Sequence, residues 1–170
     1  MADQSSGNSL KAKIILQQCL SGRLQVKPAD DETPAEFVEV NRGIIVYVCF
    51  MKGASQDIVE KMVKAVLNVK LSQSDNGKTV SVLDLPGDVL IVPQATLGGK
   101  LKGKVMQYHS NIGKDEGLKL YSSFVQKTQI EVENNAKSIE SKCQVKWGTY
   151  GNRQVLSIVT NGPYTHTLDF

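Results

Sequence analysis

The run Gly43–Phe50 (Gly-Ile-Ile-Val-Tyr-Val-Cys-Phe) constrains the fold of this chain more than any other segment. It carries no charge, and β-branched and aromatic side chains dominate it. Such a run reads as a central strand buried inside the protein. The other elements have to be arranged around it. Phe37, Val38 and Val40 begin a strand just before it, after the acidic, proline-containing loop Asp30–Pro34. Lys13–Leu20 reads as a strand or a short helix, and Arg23–Lys27 as a strand. The two are expected to form a hairpin around Gly22.

Past the central run, Ser55 suits a helix N-cap and Asp57 the first turn. Ile58, Val59, Met62, Val63, Val66 and Leu67 then repeat at helical spacing. Val69–Gln73 and Lys78–Leu83 flank Asn76-Gly77, a strong hairpin turn. Val89–Val92 reads as a short buried strand. Gly98–Gly113 has four glycines and no periodicity, which predicts a long loop. A second helix is expected from Asp115 to about Asn134, burying Leu118, Tyr121, Phe124, Val125 and Ile130. Gln144–Trp147 and Gln154–Val159 read as strands around a turn at Gly148–Asn152. Beyond Gly162-Pro163 a short apolar tail ends at Phe170. Two helices among many strands imply a mixed α/β fold, either one mixed sheet or two stacked sheets, with helices on one side.

At 170 residues the chain suits one domain. The polar segment 1–9 reads as a disordered tail without the apolar stretch of a secretory signal, and residues 10–170 as the domain. No apolar run approaches a membrane span. Cys19, Cys49 and Cys143 are odd in number and lack CxxC spacing. They read as reduced thiols, with no zinc site and no disulfide framework, in a cytoplasmic protein. A net charge of +3 permits a polyanionic partner without demanding one.

Familiar catalytic patterns are absent: there is no GxSxG, no HExxH and no phosphate-binding Walker loop. His109 and His166 have no metal-ligand spacing, and each reads more simply as a surface or loop histidine. Lys100, Lys102, Lys104 and Lys114 fall in one stretch without an acid, interleaved with Tyr108 and His109. That pattern suits a phosphate backbone with an unstacked base, and equally a solvated lysine loop. Pro93-Gln94-Ala95-Thr96-Leu97 and Thr160-Asn161-Gly162-Pro163-Tyr164-Thr165 each follow a strand, where loops often carry sites.

Read as a pair, those two segments resemble the motifs of the D-aminoacyl-tRNA deacylase family, Ser-Gln-x-Thr-Leu and Asn-x-Gly-Pro-x-Thr. Leu67–Lys70, Asn76–Lys78, Ser81–Asp84, Lys102–Lys104 and Trp147–Gly151 are similar to family sequence too, so the likeness runs from about Ile14 to Phe170. It implies a three-layer fold, two stacked sheets with helices packed on one side. It also implies an aminoacyl-tRNA ester hydrolase that works as a homodimer, without metal or cofactor. The Gly-Pro of one subunit would reach into the pocket of the other. Gln94, Ala95 and Thr96 would form the catalytic turn, with the Ala95 and Thr96 amides as oxyanion donors. Thr96 would be a positioning group or, alternatively, a nucleophile. Pro93, Asn161, Gly162, Pro163, Tyr164 and Thr165 would shape the substrate pocket. Two departures matter. Pro93 replaces the family serine, and Gln18 stands where family members usually carry an arginine that fixes the Gly-Pro. Gln18, with Arg153 as a compensating arginine near the Gly-Pro, resembles an animal branch that removes L-alanine from threonine tRNA. Two other readings follow from the same motifs: a strict D-aminoacyl-tRNA deacylase, and a non-catalytic nucleic-acid-binding dimer. Lys100, Lys102, Lys104, Tyr108, His109 and Lys114 are the expected tRNA contacts.

Overall fold

Gly43–Phe50 forms one strand and stands in the middle of a five-stranded sheet. The computed structural model describes residues 9–170, so all but Ser9 of the segment 1–9 lies outside the described residues. In chain order the strands and helices are β1 (Ala12–Cys19), β2 (Ser21–Lys27), β3 (Glu36–Val40), β4 (Gly43–Phe50), α1 (Gln56–Asn68), β5 (Ser72–Gln73), β6 (Thr79–Val80) and β7 (Asp88–Pro93). A 3-10 turn (Ala95–Gly98) leads to β8 (Lys100–Lys102) and β9 (Val105–Gln107). There follow α2 (Lys114–Glu133), α3 (Ala136–Glu140), β10 (Val145–Trp147), β11 (Leu156–Val159) and β12 (Thr165–Asp169).

The main sheet has the order β10-β7-β4-β1-β12. β4, β7 and β10 are parallel to one another, whereas β1 runs antiparallel to both β4 and β12. A second sheet, β11-β2-β3, is antiparallel throughout. Alternate residues of β4 explain why its whole run is apolar. Ile44, Val46, Val48 and Phe50 face one core, with Val59, Met62, Val66 and Leu67 of α1 and Leu120 and Phe124 of α2. Ile45 joins Leu90 and Val92 in a second core, against Leu24 and Val40 of the small sheet. The result is three layers: helices, five-stranded sheet, three-stranded sheet. Phe124 is fully buried at the helix–sheet boundary, and truncating such a side chain typically costs ~3–5 kcal/mol.

Several expectations require correction. β1 and β2 do not pair as a hairpin; Leu20 is a corner at which the chain passes from one sheet to the other. Gly22 lies inside β2, where a Cβ would come within 3.1 Å of Ile45 and 3.3 Å of Leu90 and Val40. The glycine serves close packing between sheets, not a turn. β10 and β11 likewise belong to different sheets. The stretch expected as a loop over Gly98–Gly113 contains the hairpin β8–β9, turning at Gly103 with φ +63°. The apolar tail is strand β12, and Phe170 exchanges amide–carbonyl hydrogen bonds with Ala12. On α2, Leu118 and Ile130 are exposed, while Leu120, Thr128 and Val132 are buried with Tyr121, Phe124 and Val125. Ser55 flanks α1 as expected, but its hydroxyl donates to the Asp57 carboxylate and caps no amide.

Candidate functional site

The carboxyl ends of the parallel strands β4, β7 and β10 lie at one end of the main sheet, a usual place for sites in such sheets. β7 ends at Pro93, which lies opposite Val48 and has no amide hydrogen. The Gln94 amide takes the next ladder position and donates to the Val48 carbonyl at 2.9 Å. The chain then winds through Ala95–Gly98, closed by Leu97 N–H to the Gln94 carbonyl (3.3 Å) and Gly99 N–H to the Thr96 carbonyl (3.1 Å). Ala95 and Thr96 are exposed at the tip. Among the described residues, no backbone hydrogen bond around the turn uses the Ala95 or Thr96 amide. The Gln94 Nε2 donates to Thr96 Oγ1 at 3.0 Å.

The hairpin β8–β9 rises directly from this turn. A Cβ at Gly99 would come within 2.8 Å of both Met106 and Tyr108, so turn, hairpin and tyrosine ring lie against one another. Lys100, Lys102, Lys104, His109 and Lys114 are exposed, Tyr108 is 42% exposed, and none of the four lysines forms an ion pair among the described residues. The basic stretch therefore borders the turn and presents its charge to solvent.

The second motif lies elsewhere. Gln18 of β1 stands opposite Ile44, at the other end of β4 from Val48. The Thr160 hydroxyl sits 3.0 Å from the carbonyls of both Gln18 and Gly162, tying the Gly-Pro loop to β1. No peptide bond among the described residues is cis, so Gly162–Pro163 is trans, and Gly162 has φ +144°. Gln18, Leu71, Gln73, Thr79 and Asn161–Tyr164 line a cleft of about 340 Å³. Thr165 begins β12, where its hydroxyl donates to the Gln17 side chain at 3.4 Å. Four residues of β4 separate the two levels, about 13 Å along the strand. One chain therefore does not bring its two motifs together. Nor does it bring Arg153 to its own Gly-Pro. Arg153 lies beyond one end of β11 and Gly162 beyond the other. The segment holding Arg153 begins at Gly148, whose amide donates to Ile91 at 2.8 Å and whose Cβ would come within 3.0 Å of Pro93. Arg153 is thus on the side of the Gln94–Thr96 turn.

A profile of the D-Tyr-tRNA(Tyr) deacylase family matches residues 15–169. The chain belongs to that family. A D-aminoacyl-tRNA deacylase 2 of Danio rerio is 62% identical over 161 residues, covering 95% of this chain and all of that one. The D-aminoacyl-tRNA deacylase 2 of Homo sapiens is 58% identical over 160 residues, covering 94% and 95%. A solved structure of a probable eukaryotic D-amino acid tRNA deacylase superposes with a TM-score of 0.79 at 27% identity, over 95% of this chain and all of that one. Like its family, the chain is an ester hydrolase acting on aminoacyl-tRNA. Among the described residues no helix is long and apolar enough to cross a membrane.

For a D-Tyr-tRNA(Tyr) deacylase family member, the side chains near the two motifs are chemically quiet. Burial pushes the Cys49 thiol up, and pushes that of Cys19 up to about 11, so both hold their protons at neutral pH. Neither thiol is hydrogen-bonded to a histidine. His166 packs edge-on against Tyr164, with ring centroids 4.6 Å apart. Among the described residues no three His, Cys, Asp or Glu side chains cluster as metal ligands would. The groups that the turn does offer are main-chain amides and the Thr96 hydroxyl. Sequence reasoning missed two contacts beneath them. The Ala95 carbonyl accepts from Asn111 Nδ2 at 2.8 Å and from Cys49 Sγ at 3.6 Å. Nothing in the spacing of the sequence marks either residue.

Proposed function

We propose that this enzyme edits mischarged tRNA by removing L-alanine from threonine tRNA, with relaxed chiral selectivity, as a homodimer in the cytoplasm. The observation that carries the reading is the exposed turn whose Ala95 and Thr96 amides are left unused by the fold. An aminoacyl ester is already activated. The protein has mainly to orient it and stabilise the tetrahedral oxyanion. A preorganised amide donor contributes roughly 10²–10³ in rate in comparable sites. The ribose hydroxyl next to the ester assists attack of water, which leaves no need for a side-chain base.

Selectivity follows from Gly162 and Pro163. In the cis form of the motif their carbonyls would point into the pocket and obstruct an L side chain. The trans form turns them away and leaves room for a methyl group. The X–Pro isomers differ by only ~0.5–1 kcal/mol in a free chain, so local ties such as the Thr160 hydroxyl decide between them. A small apolar pocket discriminates weakly by added methylenes, so the tRNA has to supply part of the specificity. Because the two motifs stand at opposite ends of the sheet, a complete pocket requires the Gly-Pro of a second subunit, with that subunit's loop brought to the Arg153 side. Lys100, Lys102, Lys104, Tyr108, His109 and Lys114 then receive the acceptor end. The three free cysteines suit a reducing compartment.

The test offers the purified protein, with chelator, L-alanyl-tRNA for threonine, D-tyrosyl-tRNA and glycyl-tRNA. Release of alanine with weak release of D-tyrosine is expected. Fast D-tyrosine release with L-alanine spared identifies a strict D-aminoacyl enzyme instead. Tight tRNA binding without release identifies a binding protein, and loss of all activity on chelation refutes a metal-free mechanism. Thr96→Ala should slow alanine release without abolishing it. Complete loss makes the hydroxyl a nucleophile.

A further inference from the structure

Asn111 is held by its backbone at the rim of the main sheet. It bridges Met51 just past β4, its flanking Ile112 amide donates to the Phe50 carbonyl at 3.2 Å, and the Ser110 carbonyl accepts from Lys52 N–H at 2.8 Å. From this anchored position its side chain runs beneath the Ala95–Gly98 turn. Nδ2 donates to the Ala95 carbonyl at 2.8 Å. Oδ1 is buried without a hydrogen-bond partner, lying where a Cβ on Gly98 would be. A buried amide oxygen with no partner is unfavourable. The arrangement persists because the opposite amide orientation would set two oxygens against each other at Ala95.

We infer that Asn111 is a positioning residue that aims the oxyanion-binding amide of the turn. The reason is the planarity of the peptide unit. The Ala95 carbonyl and the Thr96 amide belong to one trans peptide, in which C=O and N–H point in opposite directions. Pulling that carbonyl inward, towards Asn111 and Cys49, turns the Thr96 N–H outward to where the substrate carbonyl arrives. Without the donor, the Ala95 carbonyl keeps only the longer thiol contact from Cys49 at 3.6 Å and the closure of the 3-10 turn, so the peptide plane is held less firmly and the amide loses part of its aim, although nothing that touches the tRNA has changed. Gly98 is part of the same device, since only a residue without Cβ leaves room for the Asn111 amide. The inference rests on the backbone-oxyanion reading given above and assigns the residue that maintains it.

The test compares wild type, Asn111→Ala and Asn111→Asp on L-alanyl-tRNA for threonine and, should that substrate be spared, on whichever aminoacyl-tRNA the wild type cleaves. Both variants should lose kcat by on the order of 10- to 100-fold, with KM and its salt dependence unchanged. The decisive readout is pH. The N111D carboxylate repels the Ala95 carbonyl, but once protonated it offers an O–H donor in the same place. Activity of N111D relative to wild type should therefore rise as pH falls, whereas that of N111A stays level. A flat N111D ratio, or a loss that falls on KM alone, overturns the proposal. Wild type itself supplies a check that survives any folding defect in the variants. Its Thr96 amide should exchange with solvent quickly while that of Gln94, bonded to Val48, is protected. A protected Thr96 amide is contrary to the proposal. Wild type that cleaves none of the three aminoacyl-tRNAs sinks the functional reading, and the amide exchange then judges the clamp separately.

Discussion

Cys19 shows how one buried side chain makes the stability of this protein depend on pH. Its thiol lies between the two sheets, and desolvation there raises its pKa from 9.0 to about 11, with the nearby Asp88 charge adding a smaller push. Below about pH 9 the thiol is protonated in both the folded and the unfolded chain, and its contribution is fully present. Between about 9 and 11 the unfolded chain releases the proton and the folded chain keeps it. The unfolded state then binds fewer protons, so stability falls as pH rises. Urea midpoints of wild type and Cys19→Ala should differ by a constant amount below about pH 9. Above that the wild-type advantage should shrink. A gap that stays level into the alkaline range contradicts the assignment. Asn111 makes a related point. Its role depends on a single hydrogen bond across 16 residues of sequence, which no local pattern announces.

The hairpin β8–β9 is the element on which substrate affinity should turn. Among the described residues its lysines have no acidic partner, so each one that meets a phosphate adds to binding and to salt sensitivity. Lys102→Glu should weaken tRNA binding and lower the slope of log affinity against log salt by about one for each phosphate that is no longer neutralised. An unchanged slope removes the hairpin from the binding surface. This same element was illegible as structure in the sequence. A two-stranded ribbon with Leu101 and Val105 well exposed has no buried face, and alternation of apolar and polar residues arises only where one face is buried. β12 escaped for a similar reason, being an edge strand of mixed Thr, His, Leu and Asp. By contrast β4 and α1 were legible because each meets a core, β4 on both faces and α1 along one stripe. Leu118 and Ile130 face solvent on α2 because the apolar residues of a helix are not confined to its buried side.

At the scale of the molecule, the two motifs were readable as chemistry but not as geometry. Sequence order gives no hint that Pro93 and Gly162 end up at opposite ends of one sheet. If each pocket combines the turn of one subunit with the Gly-Pro of another, two defective proteins should repair each other. Thr96→Pro, which removes the turn amide, and a Gly162–Pro163 deletion should each be inactive alone. After co-refolding at equal amounts, about a quarter of wild-type activity should return, because half the dimers are mixed and each has one intact pocket. No recovery despite mixed dimers, seen by mass spectrometry, means that each pocket is built within one chain. A different consequence follows from the pairing of Ala12 with Phe170. Residues 12 and 170 are side by side, so the described chain is nearly a closed circle. A short tether across that gap, with a new opening at the exposed Asn76-Gly77 turn, would leave every layer intact. Strands β1 to β5 and helix α1 would then follow the Gly-Pro loop in the polypeptide instead of preceding it, so the order in which these elements are written carries no meaning for the fold.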